Sequence, residues 1–86
     1  MPEVSRIFGI VIRMVFDEHN PPHFHALYGE REAQFGIDPI VVLEGNLSSR
    51  ATSLVNEWAA LHQSELLINW HRLRSNQPVE KIQPLN

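Results

Sequence analysis

The sequence predicts an α+β fold: an antiparallel β-meander of three to four strands in the N-terminal half, followed by a long or bent C-terminal helix packed on one sheet face. Three observations lead there. Through residue 45, β-branched and aromatic residues lie in short runs between turn-forming clusters. From residue 51 the apolar residues recur at helical spacing instead. The chain has 86 residues, 43% of them hydrophobic, which suits one modest core and a single domain over 1–86. Within it, 4–45 is β-rich, 48–76 is helical and 77–86 is a tail.

The first strand is read over residues 7–16 (IFGIVIRMVF), apolar on both alternating faces apart from Arg13, as in a strand covered on both sides. Residues 17–22 (DEHNPP) are turn chemistry, because Asp and Asn accept unusual dihedrals and proline cannot donate to a ladder. A second strand is expected over 23–28, a turn at Gly29-Glu30, a third strand over 31–37, a turn at Asp38-Pro39 and a fourth strand over 40–44 ended by Gly45. A two-residue loop at Gly29-Glu30 pairs Tyr28 with Arg31 and His25 with Gln34. Phe24, Ala26, Ala33 and Phe35 then share one face, and His23, His25, Glu32 and Gln34 the other. Apolar and polar residues sort cleanly, so the histidine face is expected to be the wetter one, away from the helix.

Ser48 and Ser49 are both suitable N-caps. The helical stripe runs through Ala51, Val55, Trp58, Ala59, His62, Leu66, Trp70 and Leu73. Leu67 and Ile68 lie off it, so either the helix bends near Gln63-Ser64, with Ser64 capping a second segment, or its second half is buried on more sides. Arg72 and Arg74 suit a helix C-terminus, and Gln77-Pro78 stops the helix. Ile82 and Leu85 are the expected anchors of the tail. The first and fourth strands are candidate sheet edges; an edge bearing Val41, Val42 and Leu43 is sticky unless covered, which suggests a homodimer or the tail as edge cover.

Composition narrows the function. No cysteine is present, which excludes disulfide scaffolds, thiolate zinc sites and cysteine nucleophiles. The net charge of −3 provides no overall basic field for nucleic acid or anionic lipid. No phosphate-loop, dinucleotide or nucleophile-elbow pattern occurs. The longest apolar run has ten residues, about half of a membrane span. With Pro2 and Glu3 where a secretory signal would carry basic residues, the expected compartment is the cytoplasm.

Chemistry is suggested by one cluster: His19, His23 and His25 within DEHNPPHFHA. Side chains at i and i+2 of a strand project from one face, so His23 and His25 point together. They are candidate ligands for zinc or another divalent transition metal, with His19, Asp17 or Glu32 as third ligand. The expectation preferred to this is that they hydrogen-bond loop carbonyls or a carboxylate, with no metal or other cofactor. His62 is expected to be a satisfied core histidine and His71 to be solvated. Trp58 and Trp70 are either a partner surface, where tryptophan is enriched, or core.

Ser5-Arg6, Gly9-Ile10, Pro22-His23-Phe24-His25-Ala26 and Leu43-Glu44-Gly45 also form a pattern, with Glu57-Trp58, Leu61-His62, Glu65-Leu66-Leu67, Asn69-Trp70 and Ile82-Gln83-Pro84-Leu85. It resembles the small prokaryotic family called domain of unknown function 4160, over nearly the whole chain, with Pro-His-x-His its most specific part. Asp38-Pro39 and Ser48-Ser49 fall in turns where that family varies. The resemblance implies no catalytic residues. It implies membership of small two-gene cassettes, for which a toxin–antitoxin role has been suggested. The expected function is therefore a cytoplasmic, non-enzymatic protein-interaction module whose partner is the product of a neighbouring gene. The alternative is a metal-binding protein or metal-dependent hydrolase using His23 and His25.

Overall fold

The structure is a computed structural model describing residues 3–15 and 19–85. It is α+β. Strands β1 (Glu3–Ile7), β2 (Ile10–Arg13), β3 (His23–Tyr28), β4 (Arg31–Gly36) and β5 (Val42–Gly45) form one antiparallel sheet in sequence order, followed by helices α1 (Ser49–Leu61) and α2 (Gln63–Arg74). No helix among the described residues is long and apolar enough to cross a membrane.

The strand expected over 7–16, whose last residue, Phe16, lies outside the described residues, is corrected by the structure. It is a hairpin, β1 and β2, turning at Phe8-Gly9 with Ile7 paired to Ile10. Both turn residues have positive φ, 48° and 81°, the geometry of a two-residue turn whose twist matches the flanking strands. Glycine adopts it freely; phenylalanine does not, which is why the turn is hidden in an apolar run. The sheet therefore has five strands, not three or four.

The β3–β4 hairpin has the register expected from its loop: Tyr28 faces Arg31, His25 faces Gln34 and Phe24 faces Phe35. Between β4 and β5 the register shifts at Gln34/Phe35. Beyond it Gly45, at φ 73°, lies against the Glu32 carbonyl, where a Cβ would clash with backbone.

Ser48 caps α1, its hydroxyl accepting from the Ala51 N–H at 3.2 Å. The helical segment is two helices. The break falls at His62 (φ −122°, ψ 25°), one residue before the expected bend, and Ser64 caps nothing because α2 has already begun at Gln63. Gln63 donates to the Ile37 carbonyl at 2.7 Å, tying the start of α2 to the end of the sheet.

One sheet face and the helices enclose the core. Val4, Ile7, Ile10, Ile12, Phe24, Ala26, Ala33 and Phe35 meet Ala51, Val55, Trp58, Ala59 and Leu66. Phe24 stacks on Phe35 with ring centroids 5.4 Å apart and meets Trp58 edge-on at 5.8 Å. The tail returns along β1, where Ile82 donates its N–H to the Val4 carbonyl at 2.8 Å and buries its side chain. The edge of β1 is thus covered, and β5 is left as the edge without a neighbour among the described strands.

Candidate functional site: the paired histidines

β3 places His23 and His25 on the sheet face opposite Phe24 and Ala26, as the period of two requires. That face is not wet at the histidines. His23 is 6% exposed and His25 9%. The cause is α2: after the break at His62 it carries Trp70 to the start of β3, where the indole lies 5.4 Å from the His23 ring. The Arg74 guanidinium lies 5.8 Å from the same indole. The two imidazoles are 5.3 Å apart, edge to face.

Each ring has an oriented Nδ1. That of His23 lies 2.8 Å from the Pro21 carbonyl. A carbonyl oxygen only accepts, so this nitrogen carries a proton and donates. The Nδ1 of His25 lies 2.8 Å from Oε2 of Glu32, and a carboxylate fixes the same tautomer there. Both rings therefore donate from Nδ1, and in the neutral form of either ring the lone pair lies on Nε2. The arrangement can accept a proton or coordinate a metal through Nε2; equally, it anchors the turn before β3 and clamps β3 to β4.

Among the sequence-predicted ligands, the structure joins His23, His25 and Glu32. Glu32 orients His25 from behind, which occupies the carboxylate proposed as third ligand. His19 is exposed, and Asp17 lies outside the described residues. Among the described residues no group of three or more His, Asp or Glu side chains is placed to hold a metal ion. His62 is hydrogen-bonded, its Nδ1 2.6 Å from Oε1 of Glu65, but it lies half-buried at the helix break and not in the core as expected, and His71 is exposed.

Trp58 and Trp70 are corrected as interaction residues. Both are buried, Trp58 with its Nε1–H donating to the Gln83 carbonyl at 2.8 Å, so neither indole offers surface to a partner. The exposed apolar surface lies elsewhere. Val41, Val42 and Leu43 are 44%, 43% and 43% exposed along the β5 edge, in agreement with the sequence patterning. Phe8, Tyr28, Arg50 and Leu54 frame a concavity of about 210 Å³ beside the start of α1. Sequence reasoning misses it, because the Phe8-Gly9 turn that builds it gives no turn signal.

The fold and this face define a small α+β protein with one antiparallel sheet, a helix packed on its core face, a second helix whose Trp70 covers the histidine face at the start of β3, and a buried histidine pair with each Nδ1 tethered. Residues 9–71 match the family described as Domain of unknown function (DUF4160), and the chain belongs to that family. No curated protein and no solved structure matches it.

Proposed function

We propose that this protein is a non-enzymatic interaction module that binds a protein partner by adding a strand to the edge of β5. The observation that supports this is the unequal treatment of the two sheet edges. The β1 edge is covered by the tail through Ile82 and Val4, whereas β5 leaves Val41, Val42 and Leu43 more than two-fifths exposed. Natural sheets guard such edges with charge, proline or a covering segment, and edge addition is a common mode of peptide recognition. The partner we propose is the product of a neighbouring gene, in a cytoplasmic toxin–antitoxin-like pair. Co-expression of the two chains tests it: a complex that co-elutes at micromolar concentration supports the reading, and separate elution removes it.

A second reading is favoured by the tautomers of the histidine pair. Two neighbouring rings, each fixed through Nδ1 with Nε2 as the basic nitrogen, are the usual state of metal-bound imidazoles. Under this reading His23 and His25 hold zinc or another divalent transition metal, with water or a further side chain completing the site for hydrolysis. Metal analysis of protein purified without a histidine tag decides it. One-to-one zinc that survives dialysis supports the metal site, and metal-free protein that gains no thermal stability from added zinc rejects it.

A further inference from the structure

The following inference rests on the edge-binding reading and names the chemistry of the strand that would occupy β5. We infer that the occupant is a segment of a different chain in which aliphatic and basic side chains alternate, and not a second copy of this protein. Three features lead to this. Val41 gives its carbonyl to the Gly36 N–H at 2.7 Å, so Val41 faces β4 and the next residue, Val42, turns its own N–H and carbonyl outward. That is where an incoming strand finds its hydrogen bonds.

Val42 pairs with Phe35 and Glu44 with Gln34. Phe35 and Gln34 are consecutive residues of β4 and point to opposite faces. The register shift between them therefore puts Val42 on the core face and Glu44 on the histidine face. A strand laid along β5 meets an aliphatic side chain on one face and a carboxylate on the other. Opposite-charge and apolar cross-strand pairs are the stabilising ones, so the complementary strand alternates aliphatic and basic residues.

Charge also decides against self-pairing. Residues 37–49 contain Asp38 and Glu44 and no lysine or arginine. In a two-fold antiparallel pair of β5 edges, Glu44 would find no cation on the facing segment, and both chains carry a net charge of −3. Arg13, on the same face as Glu44, is on β2, separated from β5 by β3 and β4.

The test is selection of displayed random segments of about eight residues against the full chain, with each enriched segment mapped by amide chemical shifts. Lys or Arg should alternate with Val, Ile or Leu, and the amides of residues 41–45 should shift. Binding should be lost in Val42→Pro, which removes the outward donor, and fall roughly tenfold in Glu44→Lys. Glu44 is exposed, so the second variant keeps the test valid should the proline variant not fold. Segments that shift residues 41–45 but carry no basic bias, or bind Glu44→Lys equally, overturn the basic partner and leave the edge reading standing. Segments that shift residues elsewhere, or no enrichment at all, overturn both. A two-chain mass by light scattering, with the same amides broadened, overturns the inference in favour of a second copy.

Discussion

Asn69 holds Glu80 by both backbone groups. Its Nδ2 donates to the Glu80 carbonyl at 2.9 Å and its Oδ1 accepts from the Glu80 N–H at 2.9 Å. A buried side-chain amide on α2 thus pairs with the tail as a strand neighbour would. With Arg72 donating to the Pro78 carbonyl at 2.7 Å and Trp58 to that of Gln83, it positions the tail so that Ile82 reaches Val4.

Asn69→Ala should cost about 2–3 kcal/mol, because two hydrogen bonds are lost and buried partners are left unsatisfied. Urea denaturation measures the loss. Hydrogen exchange should show the Ile82 amide among the most accelerated, because the tail is the segment released. Asn69→Asp should be nearly as damaging, since a carboxylate cannot donate to the Glu80 carbonyl. A protein that tolerates both substitutions, with Ile82 still protected, would show that the tail is held by its apolar anchors alone.

Phe8 is bulky, sits at φ 48° and is 49% exposed. Asparagine tolerates that conformation and is preferred in such turns. Phe8→Asn should therefore raise stability by roughly 0.5–1 kcal/mol, read as a higher thermal midpoint. Loss of stability instead would mean that the Phe8 ring contributes more through its packing than its backbone costs.

Long-range proton–nitrogen spectra at alkaline pH should show His23 and His25 both protonated at Nδ1. Glu32→Ala should randomise the tautomer of His25 and leave that of His23, which depends on the Pro21 carbonyl. His23→Ala should cost about 1–3 kcal/mol, since the ring is buried against Trp70 and its removal leaves the turn carbonyl without its donor. A ring that anchors the turn, the reading preferred from sequence, carries this cost, whereas a solvated metal-ligand histidine would be removed at almost none. The measured value therefore reports how closely α2 packs on β3.

Glu3 and Arg6 form a two-contact ion pair on β1, at 3.0 and 3.1 Å. Arg6, through its hydrogen bond, holds the Glu3 carboxyl below the usual carboxylate value. The folded value lies below the unfolded one, so the stabilisation is present at neutral pH and is lost as pH falls through the acid range. Titration by carbon NMR should show the lowered value, and Arg6→Gln should return it toward that of free glutamate. Because both groups are exposed, high salt should weaken the effect.

The strand pairing at the histidines is legible in the residues themselves. Gly29-Glu30 permits a two-residue turn, and from that turn a period of two assigns every residue of β3 and β4 to a face. The Ser48 cap and the apolar stripe of α1 are equally local signals. Other features are not local. The Phe8-Gly9 turn occurs inside an apolar run, and sheet pairing on both sides holds a residue that disfavours its conformation. The break at His62 gives α2 a second direction, and only then does Trp70 reach His23.

By itself, then, the sequence determined the elements set by turn chemistry and periodicity, and it brought His23 and His25 together because two positions along a strand share a face. The tertiary structure alone decided that the pair is buried, that Glu32 faces His25 from behind, that both tryptophans are core, and that the tail covers β1 while β5 has no outer neighbour among the described residues. These properties depend on segments far apart in the chain meeting at hydrogen-bond and van der Waals distance, and no local periodicity encodes where a helix will carry a side chain after it bends.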